Sequence, residues 1–140
     1  MIYLDTNVLI AYINPKDRLH NKALSLISKF NRKKTVISQL VLLELYSVFS
    51  RVMNISNIEL EALVNYTLRK CNVEVVFVEW NELYNCSLNH ANKLKLRTLD
   101  LLHVIATYLT GARAIVSFDK DISSKSNIIK RLFEIEVIGF

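Results

Sequence analysis

Four carboxylates stand where a carboxylate is hard to keep. Asp5 directly follows the apolar run Met1 to Leu4, and Asp119 directly follows Ala114 to Phe118. Glu44 sits inside Leu40-Val-Leu-Leu-Glu-Leu-Tyr46, and Asp100 sits in Leu99-Asp-Leu-Leu102. A charged carboxylate among apolar side chains is costly unless it is paired or holds a metal. No Lys or Arg precedes Glu44 within a helical turn, and Arg51 follows two turns later. Each acid also has a plainer reading. Asp5 and Asp119 suit turns or helix caps, Asp100 suits a helix N-terminus, and Glu44 suits an exposed helical site. As a set, they suit a hard divalent cation such as Mg²⁺ or Mn²⁺, which prefers oxygen ligands. Such an ion activates water and stabilises in-line displacement at phosphorus.

The elements that must position these acids follow from apolar patterning. Short apolar runs predict strands at 1–4, 35–37, 73–78, 114–118 and 136–140. Helical spacing predicts helices over 8–13, 19–30, 39–53, 56–70, 81–96 and 99–109, with one short helix before the last strand. Ser38 caps the third of these and Ser56, with Glu59, opens a capping box. Thr98 is expected to cap the helix of Asp100, and Gly111 to mark its exit. Strands alternating with helices predict an α/β domain over 1–140 with a mostly parallel sheet. Ligands of such sheets bind beyond the carboxyl ends of the strands. Asp5 and Asp119 end strands, and Glu44 and Asp100 lie in helices entered from that edge.

Composition narrows the classes further. The 140 residues are 51% hydrophobic and 22% charged, as in a globular rather than a disordered chain. Gly111 and Gly139 are the only glycines and Pro15 the only proline, so no Gly-rich phosphate loop exists. Cys71 and Cys86 form no CxxC, and His20, His90 and His103 complete no zinc spacing. A single disulfide is possible but unforced, and two buried free thiols are the preferred reading. Eighteen Lys+Arg against 13 Asp+Glu give a formal charge of +5. A basic chain with an acidic pocket fits a nucleic-acid phosphodiester. The longest apolar run, Val8 to Ile13, is too short to span a membrane, and the N-terminus lacks a basic leader. The expectation is a soluble, cytoplasmic protein.

Four blocks resemble the PIN-domain family, and within it the VapC-like toxin ribonucleases. They are Met1-Ile-Tyr-Leu-Asp-Thr-Asn-Val-Leu-Ile10, Ile37-Ser-Gln-Leu-Val-Leu-Leu-Glu-Leu45, Leu96-Arg-Thr-Leu-Asp-Leu-Leu-His-Val-Ile-Ala106 and Ala114-Ile-Val-Ser-Phe-Asp-Lys-Asp121. Their order and spacing cover essentially the whole chain. The resemblance implies a three-layer α/β/α sandwich and Mg²⁺- or Mn²⁺-dependent endoribonuclease activity. It implies Asp5 and Asp100 as the main metal ligands, with Glu44 and Asp119 completing the pocket or orienting the attacking water. Thr6, Asn7 and Ser117 would hydrogen-bond behind them. Asp121 is either a further acid of the site or a helix cap. A homodimer and a small antitoxin whose tail blocks the pocket are also implied. PIN enzymes of RNA processing or decay would share the same acids.

Other readings fit less well. A haloacid-dehalogenase type of phosphatase needs an acid where Asn7 stands. A phospho-receiver needs an acidic pair after the first strand and a middle-strand aspartate, where this chain has Glu79-Trp80. A metal-free RNA-binding module leaves four acids without a purpose. His103 reads as a packed core histidine. Trp80 and Tyr84 read as core or dimer surface, and Arg32-Lys-Lys34 as a solvated loop. Lys93, Lys95, Arg97 and Lys120, close in sequence to Asp100 and Asp119, are candidates for holding RNA phosphates.

Overall fold

The computed structural model describes residues 1–139. Five strands, β1 (Ile2–Leu4), β2 (Thr35–Ile37), β3 (Val73–Val75), β4 (Ala114–Val116) and β5 (Glu136–Ile138), form one sheet in the order β3-β2-β1-β4-β5. Every pairing is parallel. Parallel neighbours need crossovers. These are supplied by α1 (Thr6–Ile13), α2 (His20–Lys29), α3 (Gln39–Val52), α4 (Asn57–Cys71), α5 (Trp80–Leu94), α6 (Thr98–Leu109), α7 (Lys120–Ser124) and α8 (Ser126–Phe133). Helices α1 to α4 pack among themselves, as do α5 to α8. Right-handed crossovers place the first group on one face and the second on the other. The result is the expected α/β/α sandwich.

The three central strands β2, β1 and β4 are buried throughout, as strands covered on both faces must be. The outer strand β3 is only half-buried. It is also shorter than the run of valines suggests. Val76 still donates to the Ile37 carbonyl at 2.8 Å, but the chain then leaves the sheet. The buried side chain of Gln39 takes over, accepting from Val78 N at 3.0 Å and donating to its carbonyl at 2.6 Å. β4 and β5 likewise end earlier than the apolar runs, and Phe140 lies outside the described residues. Two helices, α7 and α8, replace the single short one expected.

The caps carry the fold into the site. Ser38 caps α3, and Ser56 and Glu59 form the capping box of α4. Thr98 does not cap α6. It is the first helical residue, and Arg97 holds the cap position without a side-chain bond. Gly111 follows α6 at φ +78°, where a side chain would be strained. Gly139 answers a different need. A Cβ there would lie 1.9 Å from the Ser117 carbonyl, so only glycine lets this strand end lie against the residue after β4.

Candidate functional site

The carboxyl edge of the sheet gathers every acid singled out from the sequence, but in two groups. Asp5, Glu44 and His103 can bring one ligand atom each within 4.8 Å of one another, and so can Asp100, Asp119 and Asp121.

The first group grows out of the central strand. Asp5 ends β1 and caps α1, its Oδ1 accepting from Thr6 N at 2.7 Å. Its Oδ2 accepts from Asn7 Nδ2 at 3.0 Å and from Ser117 Oγ at 2.6 Å. Three donors thus hold a carboxylate that is 5% exposed. Burial still raises its pKa, against the opposing pull of His103 and the donors. Glu44 faces the same pocket from α3. One oxygen, Oε2, accepts from Thr6 Oγ1 and from His103 Nε2, the latter at 2.7 Å. Burial alone would raise the Glu44 pKa, but the His103 hydrogen bond and charge bring it below the usual range. Burial alone would lower that of His103, but the Glu44 bond and the charge of Asp5 raise it. Both shifts favour the charged forms of the pair.

His103 therefore does more than pack. It is 3% exposed, lies 3.8 Å from Asp5, and its Nδ1 stands 3.1 Å from the Tyr3 hydroxyl. That hydroxyl is itself 2.7 Å from Ser38 Oγ, so the cap of α3 and the partner of Glu44 are joined through the first strand. The sequence reading missed this. Tyr3 and His103 are 100 residues apart, and neither carries a local signal beyond being polar in an apolar run.

The second group is built differently. Asp119 follows β4 and caps α7, its Oδ1 accepting from Asp121 N at 2.7 Å and Ile122 N at 3.3 Å. Asp100 projects from the first turn of α6 and is half-buried. Burial raises its pKa, and the charges of Asp119, Asp5 and Asp121 raise it further. Arg97 lies 3.8 Å from Asp121, with both side chains largely exposed. Asp121 thus belongs to the acid group, and Asp119 takes the capping role weighed for it.

Asn7 and Ser117 stitch the groups together. Asn7 Oδ1 accepts from Phe118 N at 3.1 Å, and Ser117 Oγ accepts from Asp119 N at 3.0 Å. The Ser117 hydroxyl therefore touches Asp5 and the Asp119 backbone at once. Of the basic candidates, Lys93 closes α5, Lys95 is its C-cap, Arg97 precedes α6 and Lys120 opens α7. All four are exposed.

The donor set suits a hard cation. Carboxylate oxygens dominate, and the repulsion that acts on Asp100 from Asp119, Asp5 and Asp121 is opposed by the charge of His103. Cys71 is buried, with its thiol pushed up to about 12 by desolvation, and Cys86 is half-buried beside His90. Neither cysteine belongs to either group of acids. Trp80 and Tyr84 are exposed, which removes the core reading for them. No helix among the described residues is long and apolar enough to cross a membrane.

Comparison with known proteins places this geometry. The fold matches VapBC2 from Rickettsia felis, solved bound to a promoter DNA fragment, with a TM-score of 0.66 at 20% identity over 100% of this chain and 99% of that one. It matches Mycobacterium tuberculosis VapC20, a Sarcin-Ricin loop cleaving toxin, with a TM-score of 0.69 at 19% identity over 97% and 99%. VapBC-1 from nontypeable Haemophilus influenzae gives 0.67 at 16% identity over 99% and 98%. No curated protein matches by sequence. The family model of the PIN domain matches residues 2–127, spanning all the acids described, and the chain belongs to the PIN-domain family.

Proposed function

We propose that this chain is a metal-dependent endoribonuclease and the toxin of a toxin–antitoxin pair. The observation that carries the reading is the meeting of Asp5, Glu44, Asp100 and Asp119 at one sheet edge, two of them buried or paired and two repelling each other. Membership of the PIN family supports the nuclease class. The toxin role is supported by whole-chain likeness to VapBC2, VapC20 and VapBC-1.

Asp5 and Asp100 would hold Mg²⁺ or Mn²⁺, with Glu44, Asp119 and the neighbouring Asp121 around them. The ion supplies positive charge at the scissile phosphate and acidifies a water. The chain's own residues do the positioning. Thr6, Asn7 and Ser117 spend three donors on Asp5, which leaves it little freedom to turn. His103 and Thr6 occupy one oxygen of Glu44, which leaves the other to accept a proton or orient water. Lys93, Lys95, Arg97 and Lys120 offset the repulsion between RNA and the acids. A small antitoxin would cover the pocket. A second copy of the chain is also part of the reading, and the exposed Trp80, Tyr84 and Leu88, one turn apart along α5, support it.

The test is cleavage of labelled single-stranded and structured RNA with Mg²⁺, with Mn²⁺ and with EDTA, beside Asp100→Asn. Cuts that need the metal and vanish in the variant are expected. Equal cutting by the variant would remove the four-acid site. Growth arrest on expression, relieved by the same substitution, tests the toxin role, and light scattering tests the dimer.

A further inference from the structure

We infer that a second, cationic cavity beside the acids seats the backbone phosphate next to the one that is cut; this rests on the nuclease reading. The cavity, about 270 Å³, lies between the α5–α6 loop and α7 and is lined by Lys95, Leu96, Arg97, Asp121, Ser124 and Lys125. Three cations face one carboxylate there. Lys125 is a residue that sequence proximity to the acids did not suggest, while Lys93 and Lys120 do not line the cavity. A larger cavity of about 540 Å³ opens at the opposite edge of the sheet, but its Arg113 and Lys130 are paired with Glu134 and Glu136. Of the larger cavity's cations only Lys33 lacks a carboxylate partner among the described residues. Near the acids Arg97 is paired too, with Asp121 at 3.8 Å, but both Lys95 and Lys125 lack one, and Lys95 Nζ reaches only Asn92 Oδ1, at 3.4 Å.

Two further observations specify the occupant. Asp121 belongs both to this cavity and to the Asp100–Asp119–Asp121 group, so the two are contiguous. One extended polyanion then meets cations and acids in succession. The volume is also below the roughly 300–1,000 Å³ of pockets that enclose a whole small ligand. It suits one group of a longer strand, with its waters. Lys95 itself sits at φ +52° at the end of α5, as Asn72 and Glu134 do at the ends of α4 and α8, in a left-handed position where glycine is the cheaper residue.

That position provides a test that misfolding cannot mimic. Lys95→Gly is expected to raise the thermal midpoint while lowering kcat/KM for RNA about tenfold, mainly through KM. Arg97→Ala and Lys125→Ala should act alike on KM. Each removed cation should flatten the salt dependence of RNA binding by about 0.7 in log–log slope. The decisive arm uses RNA with single methylphosphonate linkages on either side of the mapped cut. One neutral neighbour should slow the parent and leave the Lys95→Gly, Arg97→Ala double variant no slower than on unmodified RNA. Loss of cutting that is the same in both proteins overturns the proposal. So does a Lys95→Gly enzyme with parental KM and salt slope, which would leave the cavity to an acidic protein segment. A parent that cuts no RNA overturns the nuclease reading, and this one with it.

Discussion

The two acid groups sit side by side and are stabilised in opposite ways. Asp5 and Glu44 are enclosed by the protein's own donors: Thr6, Asn7, Ser117 and the His103 ring, which Tyr3 also contacts. Asp100, Asp119 and Asp121 are more open, and Asp100 is pushed up in pKa by its neighbours. The first group is complete as folded. The second holds Asp100 against the charges of Asp119 and Asp121, a strain that a bound cation would relieve. In the proposed reading the first group is a rigid wall that fixes geometry and the second a strained wall that would draw in metal.

The comparison breaks first on activity. Asp5→Asn and Asp100→Asn should each lower metal-dependent kcat/KM at least about 100-fold, because several kcal/mol of charge stabilisation goes with the ion. Their double variant should be hardly worse than either, since the groups act on one phosphate. Additive losses in RNA cleavage kinetics would mean two independent sites.

The next largest effect separates the walls by stability. His103→Leu leaves Glu44 with Thr6 alone and the Tyr3 hydroxyl with one bond fewer. A loss of about 2–3 kcal/mol in urea unfolding is expected. Asp100→Asn should do the reverse in metal-free protein. The folded-state pKa of Asp100 lies above its ordinary value of 3.8, so ionising it costs stability as pH rises through the raised value. The variant should therefore melt about 2–4 °C higher than the parent at pH 7. That gain should disappear as pH falls through the carboxylate range. Added Mg²⁺ or Mn²⁺ should raise the midpoint of the parent more than that of the variant. A thermal scan in which Asp100→Asn is the less stable protein at pH 7 without metal would contradict the strained wall.

The smallest effect sharpens the boundary between the groups. Ser117→Ala removes the hydroxyl that touches both Asp5 and the Asp119 backbone, and should cost about 1–2 kcal/mol. In a double-mutant cycle it should couple to both Asp5→Asn and Asp119→Asn. Coupling to one alone would mean that the walls are held separately.

Much of this was legible in the residues. Short apolar runs at 1–4, 35–37 and 114–118, with helical spacing between them, determined a parallel α/β sheet. The strand-end rule then determined which edge bears Asp5 and Asp119. The excess of oxygen donors over Cys and His determined the kind of ion the edge suits. These features are local, or follow from the handedness of crossovers, and so survive without coordinates. Where elements end was less legible, because Gln39 replaces a strand partner at Val78 and Arg97 displaces Thr98 from the cap position. Only the tertiary structure set Asp5 and Glu44 among side-chain donors and Asp100 against the charges of Asp119 and Asp121. It alone chose His103, 59 residues from Glu44, as that acid's partner, and joined Ser117 to Asp5 across 112 residues. Such pairings depend on strand order and on which way each side chain turns into the core, and neither leaves a periodic trace in the chain.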